Sequence, residues 1–96
     1  MNTITAYDLK IKYEVFRINQ GVSDTLLERS YADPDNEELD AFSDKAYDEM
    51  WKSLDRFADA LIEFTDGRLD RATIRRMALA PKYSGHLEEL MRRIAA

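Results

Sequence analysis

From Ser43 to Gly67 the chain reads SDKAYDEMWKSLDRFADALIEFTDG. Tyr47, Met50, Leu54, Phe57, Leu61 and Phe64 recur there at alternating steps of three and four, a spacing that puts them on one side of an α-helix. Trp51, Ala58 and Ile62 widen the stripe on one flank. Asp44, Asp48, Asp55, Asp59, Glu63 and Asp66 gather on the opposite side, within about a third of the circumference at roughly 100° per residue. A segment this periodic has to bury its apolar side, so the rest of the 96 residues must supply the partners. The spacing predicts a long central helix over about 43–66, ended by Gly67.

Ahead of it, residues 5–20 fit two templates. Leu9, Ile11, Tyr13 and Val15 alternate with Lys10, Lys12 and Glu14, as in a half-buried strand. Tyr7, Ile11, Val15, Ile18 and Val22 recur at helical steps. Thr5 with Asp8 makes a capping-box-like start, Gly21 stands where a C-cap glycine would, and no partner strand follows. Helix is therefore the reading, and a strand paired across the two-fold axis of a homodimer is its alternative. Ser23 is expected to cap a short helix to about Tyr31, with Leu26, Leu27 and Tyr31 inward. Asp33 caps the next, with Pro34 in its first turn and Leu39 and Phe42 along it, and this helix kinks or restarts at Ser43.

Beyond Gly67, Asp70 caps a short helix through about Leu79, with Ile74, Met77 and Ala78 apolar, and Pro81 closes it. Ser84 caps a last helix from His86 to Ile94, striped by Leu87, Leu90, Met91 and Ile94. The expected fold is all-α: one domain over residues 1–96, a small bundle of five or six helices around the central one.

Catalytic chemistry finds little to work with. The absence of cysteine rules out disulfides, zinc ribbons and thiol catalysis. The single histidine, His86, shares one helical turn with Ser84, Glu88 and Glu89, whereas a Ser-His-acid arrangement needs groups converging from separate elements. The run DPDNEELDAFSD places Asp35 and Glu37 at calcium-loop ligand positions, but Glu38 stands where that loop needs glycine and Asp44 where it needs glutamate. Helix-capping acids explain the same run. No glycine-rich phosphate loop and no Glu-x-x-His pair occur. The expectation is a protein that is not an enzyme, without metal, cofactor or small-molecule substrate. With no apolar run of membrane-spanning length and no signal-peptide pattern in MNTITAYDLK, a cytoplasmic location is expected.

Charge says more. The net charge of -5 hides a division: residues 1–67 hold 16 acids and 7 bases, residues 68–96 hold 3 acids and 7 bases. A chain so polarised either folds its ends together or presents two distinct surfaces. On the central helix, Asp55–Asp59 and Asp59–Glu63 are like-charge neighbours four residues apart, which a merely solvated face would not favour. The acidic face formed by Asp44, Asp48, Asp55, Asp59, Glu63 and Asp66 is the candidate partner-binding surface, suited to a basic surface on a larger protein, those built for nucleic acid included.

Arg71, Arg75 and Arg76 form the alternative, a basic surface for a small nucleic-acid-binding regulator. The acidic chain, and Glu88 and Glu89 at the start of the last helix, argue against direct nucleic-acid binding. A structural homo-oligomeric subunit is the third reading. In size, acidity and lack of cysteine the chain resembles inhibitors encoded by phages and mobile elements, anti-CRISPR proteins and DNA mimics among them. That resemblance implies a non-catalytic protein occupying a basic channel or interface.

Overall fold

The structure, a computed structural model, describes residues 4–95. Among them are four α-helices: α1 (Ala6–Ala32), α2 (Glu37–Phe64), α3 (Arg71–Leu79) and α4 (Ser84–Ala95), with a 3-10 turn at Pro81–Tyr83 between the last two. No strand occurs among the described residues, so the first segment is helical. The five or six helices expected become four because two anticipated breaks do not happen.

The first is at Gly21. α1 begins as expected, with the Thr5 hydroxyl accepting from Asp8 N–H at 3.0 Å and the Asp8 carboxylate accepting from Thr5 N–H at 3.4 Å. It then runs through Gly21, and Ser23, expected as a cap, is buried mid-helix. A glycine inside a helix costs about 1 kcal/mol relative to alanine, less than packing along a long partner returns. The second is at Ser43, likewise buried inside a helix that starts at Glu37 rather than near Ser43. Glu37, Glu38 and Asp40 in its first turn suit the positive end of the helix dipole.

The cap of α2 is Asn36, whose Oδ1 accepts from Leu39 N–H at 3.0 Å, and not Asp33. Asp33 instead terminates α1, its N–H donating to Arg29 O at 3.1 Å. Pro34 sits in the turn, where the proline ring disfavours helical backbone at the residue before it. At the other end α2 stops at Phe64, short of Gly67. Gly67 N–H donates to Ile62 O at 2.9 Å and Asp66 N–H to Glu63 O at 3.2 Å, a Schellman closure with Asp66 itself left-handed at φ 51°.

α1 and α2 form an antiparallel hairpin that sets the 49 Å length of the molecule. The core lies toward the end that holds Leu9, Phe16, Leu54, Phe57 and Leu61, where Ile74 and Ala78 of α3 and Leu87 and Met91 of α4 join them. Phe57 is its centre, with its ring centroid 5.3 Å from Tyr13 and 6.4 Å from Phe16. The α2 stripe is buried as expected at Met50, Leu54, Phe57 and Leu61, while Tyr47 is half exposed.

α3 starts on the Asp70 cap, which accepts from Thr73 N–H at 2.7 Å. Its C-terminal end is tied to α1 where Arg17 Nη1 donates to Ala78 O at 3.2 Å. α4 begins at Ser84, two residues earlier than expected. The capping role expected of Ser84 concerns a side chain outside the described set.

The far end of the hairpin is different. No residue from Asp24 to Phe42 is buried. Leu26 is half-buried, but Leu27 and Tyr31, expected inward, are 39% and 75% exposed, because α3 and α4 do not extend that far to cover them. The two helices are pinned there by Ser30, whose hydroxyl donates to the Asp40 carboxylate.

Candidate protein-binding surface

α2 projects the acids of the predicted ridge along one side, and α3 divides them. The Arg71 guanidinium reaches Asp55 at 3.5 Å and Asp59 more closely, and Arg75 Nη2 donates to Asp55 Oδ1 at 2.8 Å. The Asp70 cap and the reversal after Gly67 aim these arginines: they fall one turn apart on α3, facing two carboxylates one turn apart on α2. The middle of the ridge is thus shared with the basic C-terminal segment. All four side chains remain partly solvated, so each pair contributes on the order of 1 kcal/mol or less.

Toward the hairpin tip the ridge stays open. Asp44 and Asp48 are exposed, and Asp48 takes Lys52 Nζ at 3.0 Å. The hydrogen bond and charge of Asp48, followed by the charge of Glu49, raise the Lys52 pKa above its ordinary value. Asp33, Asp35, Glu37 and Glu38 continue the exposed acids around the tip. Between residues 33 and 48 there are seven acids and a single base, Lys45. At the opposite end of α2, Glu63 and Asp66 are exposed, Asp66 within the closing turn. The six predicted residues therefore do not form one uninterrupted face.

The alternative basic surface is rearranged by the same contacts. Arg71 and Arg75 turn inward to α2 while Arg76 is exposed. Arg92 and Arg93 both pair with Glu89 on their own helix. His86 lies against the Tyr83 ring, 5.8 Å between centroids.

A cleft between α1, α2 and the α3–α4 connection is lined by Arg17, Asp24, Tyr47, Trp51 and Pro81, among others. Among the described residues no group of three or more His, Asp or Glu side chains is placed to hold a metal ion, and no helix is long and apolar enough to cross a membrane.

One surface escaped the sequence reading. Tyr7, Ile11, Val15, Ile18 and Val22, whose helical spacing argues for α1, are all exposed, and the buried side of α1 is Leu9, Phe16 and Ser23. The signal was present in the sequence as two apolar stripes on one helix, since Leu9, Tyr13 and Phe16 also follow helical steps. Comparison of the chain with models of known protein families, with curated proteins and with solved structures finds no match.

Proposed function

We propose that this protein is a non-catalytic binding module that docks an acidic helical face onto a basic surface of a larger protein, in the manner of the small inhibitors it resembles. The observation that carries this reading is the open acidic tip: Asp33, Asp35, Glu37, Glu38, Asp44 and Asp48 are all exposed. Like charges held together at the end of the hairpin destabilise the free protein slightly and are relieved by a basic partner. Within the ridge, Asp44 and Asp48 are assigned to the partner, while Asp55 and Asp59 orient α3 through Arg71 and Arg75. Glu63 and Asp66 extend the negative field toward the other end of α2. The nucleic-acid alternative has two of its three arginines, Arg71 and Arg75, engaged by those same carboxylates.

The test reverses Asp44 and Asp48 to Lys and captures partners from native host extract at low and moderate salt, identifying them by mass spectrometry. Capture that weakens with the reversal and with salt supports the reading. Capture unchanged by the reversal removes the tip as the interface.

A further inference from the structure

The outer side of α1 is an unpartnered apolar face. Tyr7, Ile11, Val15, Ile18 and Val22 are 70%, 41%, 43%, 65% and 48% exposed. At about 100° per residue they span an arc of roughly 80°, and no charged residue between Tyr7 and Val22 falls inside it. Phe42 of α2, 54% exposed, borders the stripe beside Val22 and Leu26. We infer that this face pairs with the same face of a second copy of the chain, α1 lying antiparallel to α1 across a two-fold axis.

Charge selects the occupant. α1 holds four acids and four bases over Ala6–Ala32, so the whole net charge of -5 resides elsewhere in the chain. Two copies meeting through α1 bring together apolar stripes rimmed by a few bases, Arg29 and Arg56 among them, and keep their acidic tips in water. A basic partner, by contrast, gains nothing from an uncharged stripe and belongs at the acidic tip.

Shape sets the register. An antiparallel pair centred between Phe16 and Arg17 places Val15 against the partner's Ile18, Ile11 against the partner's Val22, and Tyr7 against the partner's Leu26. Every such pairing is apolar, and the two-fold axis repeats each one, as an isologous interface requires. The same register explains Gly21. Ile18, Gly21, Val22 and Thr25 border a shallow depression with Arg17, Leu26 and Arg29 at its rim, and nothing lies within 4 Å of the place a Cβ on Gly21 would occupy. Four residues at that spacing frame the hole into which a facing helix inserts a knob, and the knob here is the partner's Ile11.

The area is sufficient. Six large side chains, each about half exposed and presenting on the order of 100 Å², give roughly 600 Å² per copy and about 1,200 Å² for the pair. That reaches the lower bound of specific interfaces and matches the largest apolar patches that soluble monomers leave open.

The test is sedimentation equilibrium of the full chain from micromolar to near-millimolar concentration. The parent is expected to approach twice its 11.2 kDa mass. Ile18→Glu changes an exposed side chain, so its helical circular dichroism is retained while dimerisation weakens by more than about 30-fold. Because the chain has no cysteine, orientation is read separately by oxidation. Ile11→Cys mixed with Val22→Cys cross-links, and neither variant cross-links alone. A parent that stays at 11.2 kDa throughout, a dimer indifferent to Ile18→Glu, or cross-linking of Ile11→Cys with itself would each overturn the inference.

Discussion

Arg75 donates from Nη2 to Asp55 Oδ1 at 2.8 Å while its guanidinium carbon lies 5.5 Å from the centre of the Trp51 ring. Trp51 and Asp55 are one turn apart on α2, so a single side chain of α3 grips an aromatic face and a carboxylate together. Arg75→Ala is expected to lower stability by about 1–2 kcal/mol, combining a half-solvated ion pair with a cation–π contact. Arg75→Lys recovers only part of this, because an ammonium lacks the planar fork that serves both contacts. Urea denaturation of Arg75→Ala, Asp55→Asn and the double variant checks the pair. A coupling near zero would mean that Trp51 alone holds the arginine.

Phe57 touches Tyr13 and Phe16 of α1 and has no exposed surface. Phe57→Ala is expected to cost about 3–5 kcal/mol through lost burial and a cavity that the long hairpin helices close poorly. A domain of this size carries a comparable total stability, so the variant should be substantially unfolded at 37 °C by circular dichroism. A shift in Tm of only a few degrees would show that the core repacks around the loss.

Asp66 closes α2 with φ 51°, a left-handed conformation that an L side chain resists and glycine accepts freely. Asp66→Gly should stabilise the protein by about 0.5–1 kcal/mol, and Asp66→Val should destabilise it by at least as much. The opposite order in thermal melts would show that the Asp66 carboxylate, and not its backbone, sets the turn.

Asp70 carries the cap of α3, and its bonds with Thr73 hold its pKa below the ordinary aspartate value of 3.8. A carboxyl depressed on folding contributes stability above its unfolded pKa and loses that contribution as pH falls through the folded value. Asp70→Ala is therefore expected to lower Tm at pH 7 by a few degrees, with the gap to the parent narrowing as the pH is taken below 3.8. A gap independent of pH would assign the effect to helix propensity instead of the cap.

The helical class and most inward residues of α2, α3 and α4 were legible because their single apolar stripes leave one way to bury them, although Tyr47 of the α2 stripe is left half exposed. The Thr5 and Asp70 caps were legible because side chain and backbone partner lie three residues apart. The breaks at Gly21 and Ser43 were misread for a common reason. A glycine or serine offers a local chance to end a helix, and whether the helix takes it depends on the neighbour packed along its length.

The α1 face shows the same division. Two apolar stripes on one helix are visible in the sequence, but spacing cannot say which one meets α2. The fold chose Leu9 and Phe16, which reach Phe57, and left Tyr7, Ile11, Val15, Ile18 and Val22 outside. For the acidic ridge, the sequence by itself determined that Asp44, Asp48, Asp55, Asp59 and Glu63 share one side of α2, since 3.6 residues per turn allows nothing else. Asp48 meets Lys52 one turn along the same helix, but only the tertiary structure decided which of them face a base from another segment. The reversal after Gly67 swings α3 beside the middle of α2, so Arg71 and Arg75 meet Asp55 and Asp59 while the acids at the tip stay in water. Ion pairing between segments depends on chain direction in space, which no local pattern encodes.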